Sequence, residues 1–239
     1  MKIKLSERIE HQYGHIDWQL VTIGESNARV YQNANLVLKI QLKTNGESLL
    51  DEKSKMEWLK GQLSVADVID YETDEINEYL IVSRLHGKDA AQTRWLSDPI
   101  NLVTQLGRAL RHLHDTIDIS DCPFDMRPTT NRYSHTEKAT KEEIDQLIEN
   151  MPEEDLVFTH GDYCLPNIII DEEFGHVVGF VDLGRAGIAD RYHDLALCLR
   201  SIEYNIGNDF SRTLLKAYGL FTVWDEKKID FFQNLEDLL

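Results

Sequence analysis

Thr159-His160-Gly161-Asp162-Tyr163-Cys164-Leu165-Pro166-Asn167, followed by Phe180-Val181-Asp182-Leu183-Gly184-Arg185, is the stretch that decides the fold. Apolar Leu156-Val157-Phe158 precedes it, and residues 167–170 and 177–181 read as two further short strands. Two strands joined by a turn bring Asn167 and Asp182 together. Their amide oxygen and carboxylate are hard ligands that suit Mg2+. Asp162 lies beside a glycine at the end of an apolar strand, outside that pair, where it can orient a hydroxyl and accept its proton. Taken singly, these residues are ordinary turn formers. As a set at this spacing, they are what phosphoryl transfer from a metal-bound nucleotide requires.

Working outward, the first 85 residues read mostly as strands, at 18–23, 28–31, 36–40, 68–71 and 78–83. One helix interrupts them at about 47–61, with Leu49, Met56 and Leu59 near one face and Gly61 as its stop. His86-Gly87-Lys88 breaks the pattern. Beyond it the chain is mainly helical. Asp98-Pro99 opens an amphipathic helix with Ile100, Val103, Leu106, Leu110 and Leu113 spaced by three and four, and further helices are expected at 142–150, 192–201, 209–218 and 225–238. Residues 125–140 are polar and read as loop. The expected fold is α+β with two lobes: a small antiparallel β-rich N-lobe at 1–85 and a larger, mainly helical C-lobe at 86–239, hinged at about 83–88.

The 239 residues carry 25 Lys+Arg against 42 Asp+Glu, a formal net charge of −17. That balance argues against duplex nucleic acid, whose phosphates need Lys and Arg, and against anionic membrane surfaces. A cationic ligand suits it. Collagen, low-complexity disorder and disulfide scaffolds are excluded by composition. No apolar run approaches the roughly 18 residues of a membrane span. Met1–Arg8 lacks the apolar core of a secretory signal. Cys122, Cys164 and Cys198 are odd in number and widely spaced, as reduced thiols of a cytoplasmic protein are. No nucleic-acid or membrane partner is expected.

The pattern His160-Gly161-Asp162, Asn167 and Asp182-Leu183-Gly184-Arg185, within the longer runs 157–167 and 179–192, resembles the aminoglycoside 3′-phosphotransferases, antibiotic-modifying enzymes of protein-kinase-like fold. The resemblance spans most of the chain and weakens at about 125–150. It implies ATP- (or GTP-) and Mg2+-dependent transfer of the γ-phosphate to an aminoglycoside hydroxyl, giving antibiotic resistance, by a monomer or homodimer. It places the catalytic base on Asp162 and the metal ligands on Asn167 and Asp182. His160 falls as a support of the loop, and Asp194 as the residue that holds the loop by hydrogen bonds. On the nucleotide side it implies Lys39 gripping the phosphates, Glu52 holding Lys39, Ser26 approaching the phosphates, and the backbone of Ser83 and Leu85 meeting the base. Arg185, Glu236, Asp237 and the terminal carboxylate of Leu239 fall on acceptor-side positions.

Two departures stand out. Val37 occupies the position where the family often carries an aromatic residue that stacks on the base. Between Cys122 and His160 the chain is shorter than the family, and it carries Arg127 and Arg132 where the family concentrates acidic residues; Glu142, Glu143, Glu149, Glu153 and Glu154 are candidates to compensate. The same chemistry on another antibiotic, a sugar or an amino alcohol is therefore the second reading. A nucleotide-binding module without turnover is a third, opposed by intact Lys39, Asp162, Asn167 and Asp182. A metal hydrolase built on His160, Asp162, His193 and Asp194 is a fourth, without a His pair at helical spacing to support it.

Overall fold

The computed structural model describes residues 4–21, 28–43, 48–133, 138–222 and 224–238. It opens with a helix that the strand-rich reading does not anticipate, α1 (Glu7–Tyr13). Ser6 caps it by accepting from the Ile9 amide, two acids occupy its first turn, and Ile9 and Tyr13, four apart, are buried on one side. Strands β1 (Gln19–Leu20), β2 (Arg29–Gln32) and β3 (Leu36–Leu42) follow, then α2 (Leu49–Leu59), β4 (Val68–Thr73) and β5 (Asn77–Ser83). All five strands pair antiparallel in the order β1-β2-β3-β5-β4. Ile9 and Tyr13 pack on Leu38, Ile40, Tyr79 and Ile81, forming a small core on one face of this sheet.

On the opposite side, α2 is fixed at its N-terminus. The Glu78 carboxylate accepts from the Ser48 hydroxyl and the Leu49 amide, while Ser48 caps the helix. Gly61, at φ +83°, follows the helix stop, a conformation that a residue with a Cβ rarely adopts. The chain then crosses to the second half of the molecule before it enters β4: Val65 bridges Phe180, and the Ser64 hydroxyl donates to the Val178 carbonyl.

Past β5 come β6 (Lys88–Asp89), α3 (Thr93–Leu96), α4 (Pro99–Thr116), α5 (Lys141–Glu149), β7 (Leu156–Thr159), β8 (Ile168–Ile170), β9 (Val177–Phe180) and β10 (Gly187–Asp190), then α6 (Arg191–Asn205), α7 (Ser211–Tyr218) and α8 (Glu226–Glu236). Helix α4 runs as its spacing predicts, capped by Asp98 and burying Val103, Leu106, Leu110 and Leu113. Ile100, in its first turn, is the exception and is 64% exposed. α4 packs on α7, and α6 packs on α8. Two small antiparallel sheets, β10-β7 and β6-β8-β9, pack against α4 and α6. One continuous apolar core joins α2 (Leu49, Met56, Leu59), α4, β7, β8, β9 and α6–α8.

Residues 167–170 differ slightly from expectation. Pro166 fixes a 3-10 turn over Leu165–Asn167, so Asn167 ends a turn and the strand begins at Ile168. Expected strand residues 22–23 lie outside the described residues.

Gly161 has the tightest backbone approach. At φ +80°, a Cβ there would lie 2.0 Å from the Arg185 carbonyl oxygen. The turn carrying Asp162 and the turn carrying Asp182 are thus in backbone contact. Gly161→Ala is expected to destabilise the protein by about 3 kcal/mol, through left-handed backbone strain and overpacking together. Urea unfolding of the two proteins measures this; an unchanged midpoint would refute the contact.

Candidate active site

β7 brings the chain from the core to His160. There the buried carboxylate of Asp194, on the first turn of α6, takes over the backbone. Its Oδ2 accepts from the His160 amide at 2.7 Å, and its Oδ1 from the Gly161 amide at 2.9 Å. The His114 ring, from α4, reaches Oδ2 at 3.1 Å. Burial alone would raise the pKa of Asp194, yet it lies below the ordinary carboxylate range because His114 and the neighbouring imidazoles favour the anion. This is the loop-holding place that the resemblance assigns to Asp194. His160 is fully buried and supports the loop from inside: its Nδ1 accepts from the Asp162 amide (3.2 Å), and its Nε2 donates to the Val181 carbonyl (3.1 Å).

The Asn167 side-chain nitrogen donates twice to Asp162, to its carboxylate Oδ2 at 2.8 Å and to its carbonyl at 3.0 Å. That commits the nitrogen and leaves the oxygen end as the acceptor the side chain has to offer. Val181 donates its amide to the Asn167 carbonyl at 3.0 Å, so Asp182 follows immediately across the β8–β9 pairing. Cys164 lies between the two acids. Burial first, then the charge of Asp162 and a hydrogen bond to it, push its thiol well up, so it stays protonated.

Lys39, on β3, joins the two halves of the molecule. Its ammonium donates to Glu52 Oε1 of α2 at 2.6 Å and to Asp182 Oδ1 at 3.1 Å. Burial opposes its charge, but the two carboxylates outweigh burial and raise its pKa. In return the Lys39 charge holds Asp182 below the usual carboxylate range, against burial and with help from His160 and Arg185. Asp182 sits at φ +63°, the left-handed region, alone in this among the described non-glycine residues.

At the chain crossover, Ser83 is clamped to Asp67: its amide donates to the Asp67 carbonyl, and its hydroxyl accepts from the Asp67 amide, both at 2.8 Å. The Leu85 side chain lies against Gly179 of β9. Ser26 lies outside the described residues.

On the acceptor side, Arg185 and Glu236 come together in an ion pair, and the His193 ring meets the same carboxylate at 2.8 Å. Asp237 instead pairs with Arg200 at 2.8 Å. Leu239 lies outside the described residues. The shortened segment lies along β10: Met126 donates its amide to the Ile188 carbonyl, and Ile188 donates to that of Phe124. Of the candidate compensating acids, Glu143 caps α5 and Glu154 lies 3.9 Å from Arg127. Residues that sequence reading passed over are Tyr133, buried against this cluster with its hydroxyl pushed up to about 12 by burial and by the Glu236 charge, and His114 and Lys55. For His114 a signal existed, since it adjoins Leu113 on the apolar face of α4. Among the described residues no group of three or more His, Cys, Asp or Glu is arranged to hold a metal by itself.

A strand lysine paired with a helix glutamate, set opposite a hairpin carboxylate and a loop aspartate, is the arrangement of kinase-like phosphotransferases. Comparison with known proteins agrees. The family model described as "Phosphotransferase enzyme family" matches residues 17–232. An aminoglycoside 3′-phosphotransferase of Niallia circulans is 33% identical over 88% of this chain and 86% of its own. One of Streptomyces ribosidificus is 30% identical over 98% and 99%. A solved aminoglycoside phosphotransferase from Streptomyces rimosus superposes with a TM-score of 0.77 at 25% identity, over 96% of this chain and 95% of that one. The chain belongs to the phosphotransferase enzyme family, among the aminoglycoside 3′-phosphotransferases.

The Glu236 cluster has a pH signature. Burial would raise the Glu236 pKa, but the His193 hydrogen bond and the Arg185 charge bring it down to about 2. The folded value is below the unfolded value of about 4.3, so this stabilisation is present above that pH and is lost as pH falls toward 2. Glu236→Gln is expected to flatten the fall of the urea midpoint between about pH 5 and pH 2. Tryptophan fluorescence reads it; parallel acid limbs would contradict the assignment.

Proposed function

We propose that this protein transfers the γ-phosphate of ATP or GTP, bound with Mg2+, to a hydroxyl of an aminoglycoside antibiotic in the cytoplasm and thereby confers resistance. The observation that carries the reading is Lys39, paired at once with Glu52 and with Asp182, beside the Asp162–Asn167 hydrogen bond. The nucleotide lies between an N-lobe of residues 1–85 and a C-lobe of residues 86–239, with its base on the backbone of Ser83 and Leu85 and an apolar wall from Val37. Lys39 grips the phosphates, Glu52 keeps it aimed, and Ser26 approaches from the loop above.

The donor set fits Mg2+, being an amide oxygen from Asn167 and a carboxylate from Asp182, both hard and adjacent across one hairpin. Asn167 and Asp182 would hold the ion, which would supply charge neutralisation for the phosphates. Asp162 accepts the hydroxyl proton and orients the oxygen for in-line attack, and the Asn167 nitrogen fixes the carboxylate that does so. On the acceptor side are Arg185, Glu236, Asp237 and Leu239, with Glu236 acting through the arginine it holds.

A second acceptor class, another small-molecule hydroxyl, is favoured by one observation: the segment that replaces the family's acidic cover presents exposed Arg127 and Arg132. Labelled phosphate transfer from ATP to kanamycin, neomycin and streptomycin separates the two. Transfer to at least one is expected, with Asp162→Asn lowering kcat by about 10²–10⁴-fold. No transfer to any of them, with nucleotide bound, rejects the aminoglycoside reading.

A further inference from the structure

Two charged side chains are buried on α2, Glu52 and Lys55, each 4% exposed. Three residues apart, they share one face of the helix. Glu52 holds Lys39. Lys55 reaches in another direction: its ammonium donates to the Gly184 carbonyl, with the Met126 sulfur at 3.7 Å and the centroid of the Phe124 ring at 5.9 Å. A buried ammonium costs several kcal/mol of desolvation. Its surroundings include the Met126 sulfur and the Phe124 ring. The charge has a use at Gly184.

Gly184 is the middle residue of the 3-10 turn Leu183–Arg185, two residues beyond Asp182. Asp182 is held in the left-handed region, at φ +63°. For a non-glycine residue this conformation is strained and persists only where the surroundings over-determine it. Two of the contacts that do so lead back to α2. The Asp182 carboxylate is held by Lys39, which Glu52 holds. The main chain two residues on is held by Lys55. The helix thus brackets the strained residue, fixing its side chain through one charged pair and its backbone through another charge.

We propose that Lys55 is a positioning residue for phosphoryl transfer, tying the turn that carries Asp182 to α2. Phosphate grip and metal ligand are thereby set by the position of a single helix. Lys55 touches neither nucleotide nor acceptor; it acts through the backbone of Gly184. The inference rests on Asp182 being a metal ligand.

The test is equilibrium binding of ADP, by calorimetry, with and without Mg2+, together with steady-state kinetics, for the native protein, Lys55→Met and Lys55→Arg. The native protein is expected to bind ADP more tightly with Mg2+. Lys55→Met is expected to bind metal-free ADP as the native protein does, to lose about 10–100-fold of the Mg2+-linked gain, and to lose kcat by a similar factor with little change in acceptor KM. Lys55→Arg, which keeps a donor, restores most of both. A native Mg2+ linkage and native kcat in Lys55→Met overturn the inference alone. Native ADP binding that ignores Mg2+ overturns the metal assignment of Asp182, and this inference with it. Should Lys55→Met fail to fold, amide exchange of the native protein decides. Helix α2 and residues 183–186 gaining protection together on adding Mg2+ and ADP supports the tie; the turn gaining it alone overturns it.

Discussion

A single buried carboxylate, that of Asp194, orders the catalytic half of the molecule. It accepts two consecutive backbone amides, His160 and Gly161, and a ring nitrogen from His114. His114 in turn meets the Tyr218 hydroxyl of α7 at 2.8 Å, and the same hydroxyl accepts from Arg191 at 3.0 Å. Helices α4, α6 and α7 and the end of β7 therefore converge on one anion with no exposed surface. An uncompensated carboxylate in that position would be very costly, so the arrangement holds as a unit. Its consequence is geometric. Asp162 is aimed by its backbone, which the core fixes, and its side-chain orientation is then completed by Asn167.

The second constraint lies where the two halves meet. Lys39 serves two carboxylates of unequal exposure, Glu52 with a side chain 5% exposed and Asp182 with one 41% exposed. Coulomb attraction is strong where water is excluded and weak where it enters. Glu52 is therefore the lasting partner, and Asp182 is the one that Lys39 can give up for another anion. The stacking of Trp58 from α2 on Phe158 of β7, at 5.5 Å, ties the same helix to the strand that feeds the catalytic loop.

Legibility in the sequence follows the range of the interactions involved. The closeness of Asp162, Asn167 and Asp182 was readable because a strand, a tight turn and a hairpin bring residues close in the chain close in space. The α4 register was readable because burial there follows a single period. Lys39 and Glu52 needed the family resemblance, since a strand-end lysine and a helix acid are commonplace singly. Helix α1 was hidden by its brevity, although Ser6, Glu7, Ile9 and Tyr13 carry a cap, a charge and a spacing that suffice for two turns. Lys55 gave no local signal: a lysine among Ser54, Met56 and Glu57 looks solvated, and only packing against Gly184 and Met126 reverses that. The pairings of Glu236 with Arg185 and of Asp237 with Arg200 are likewise tertiary facts.

Those pairings alter what the net charge of −17 means. Averaged over the surface, it draws in a polycation from a distance. Close to the site, the acids at the end of α8 are already engaged: Glu236 is 9% exposed and shared between Arg185 and His193. Arg127, on the segment lying along β10, is answered by Asp125, with Glu154 at 3.9 Å. Long-range attraction and short-range recognition are therefore carried by different residues. The first is a property of many dispersed acids and weakens as salt screens it. The second cannot come from Glu236 or Asp237 unless those pairings open, because Arg185, His193 and Arg200 already hold them.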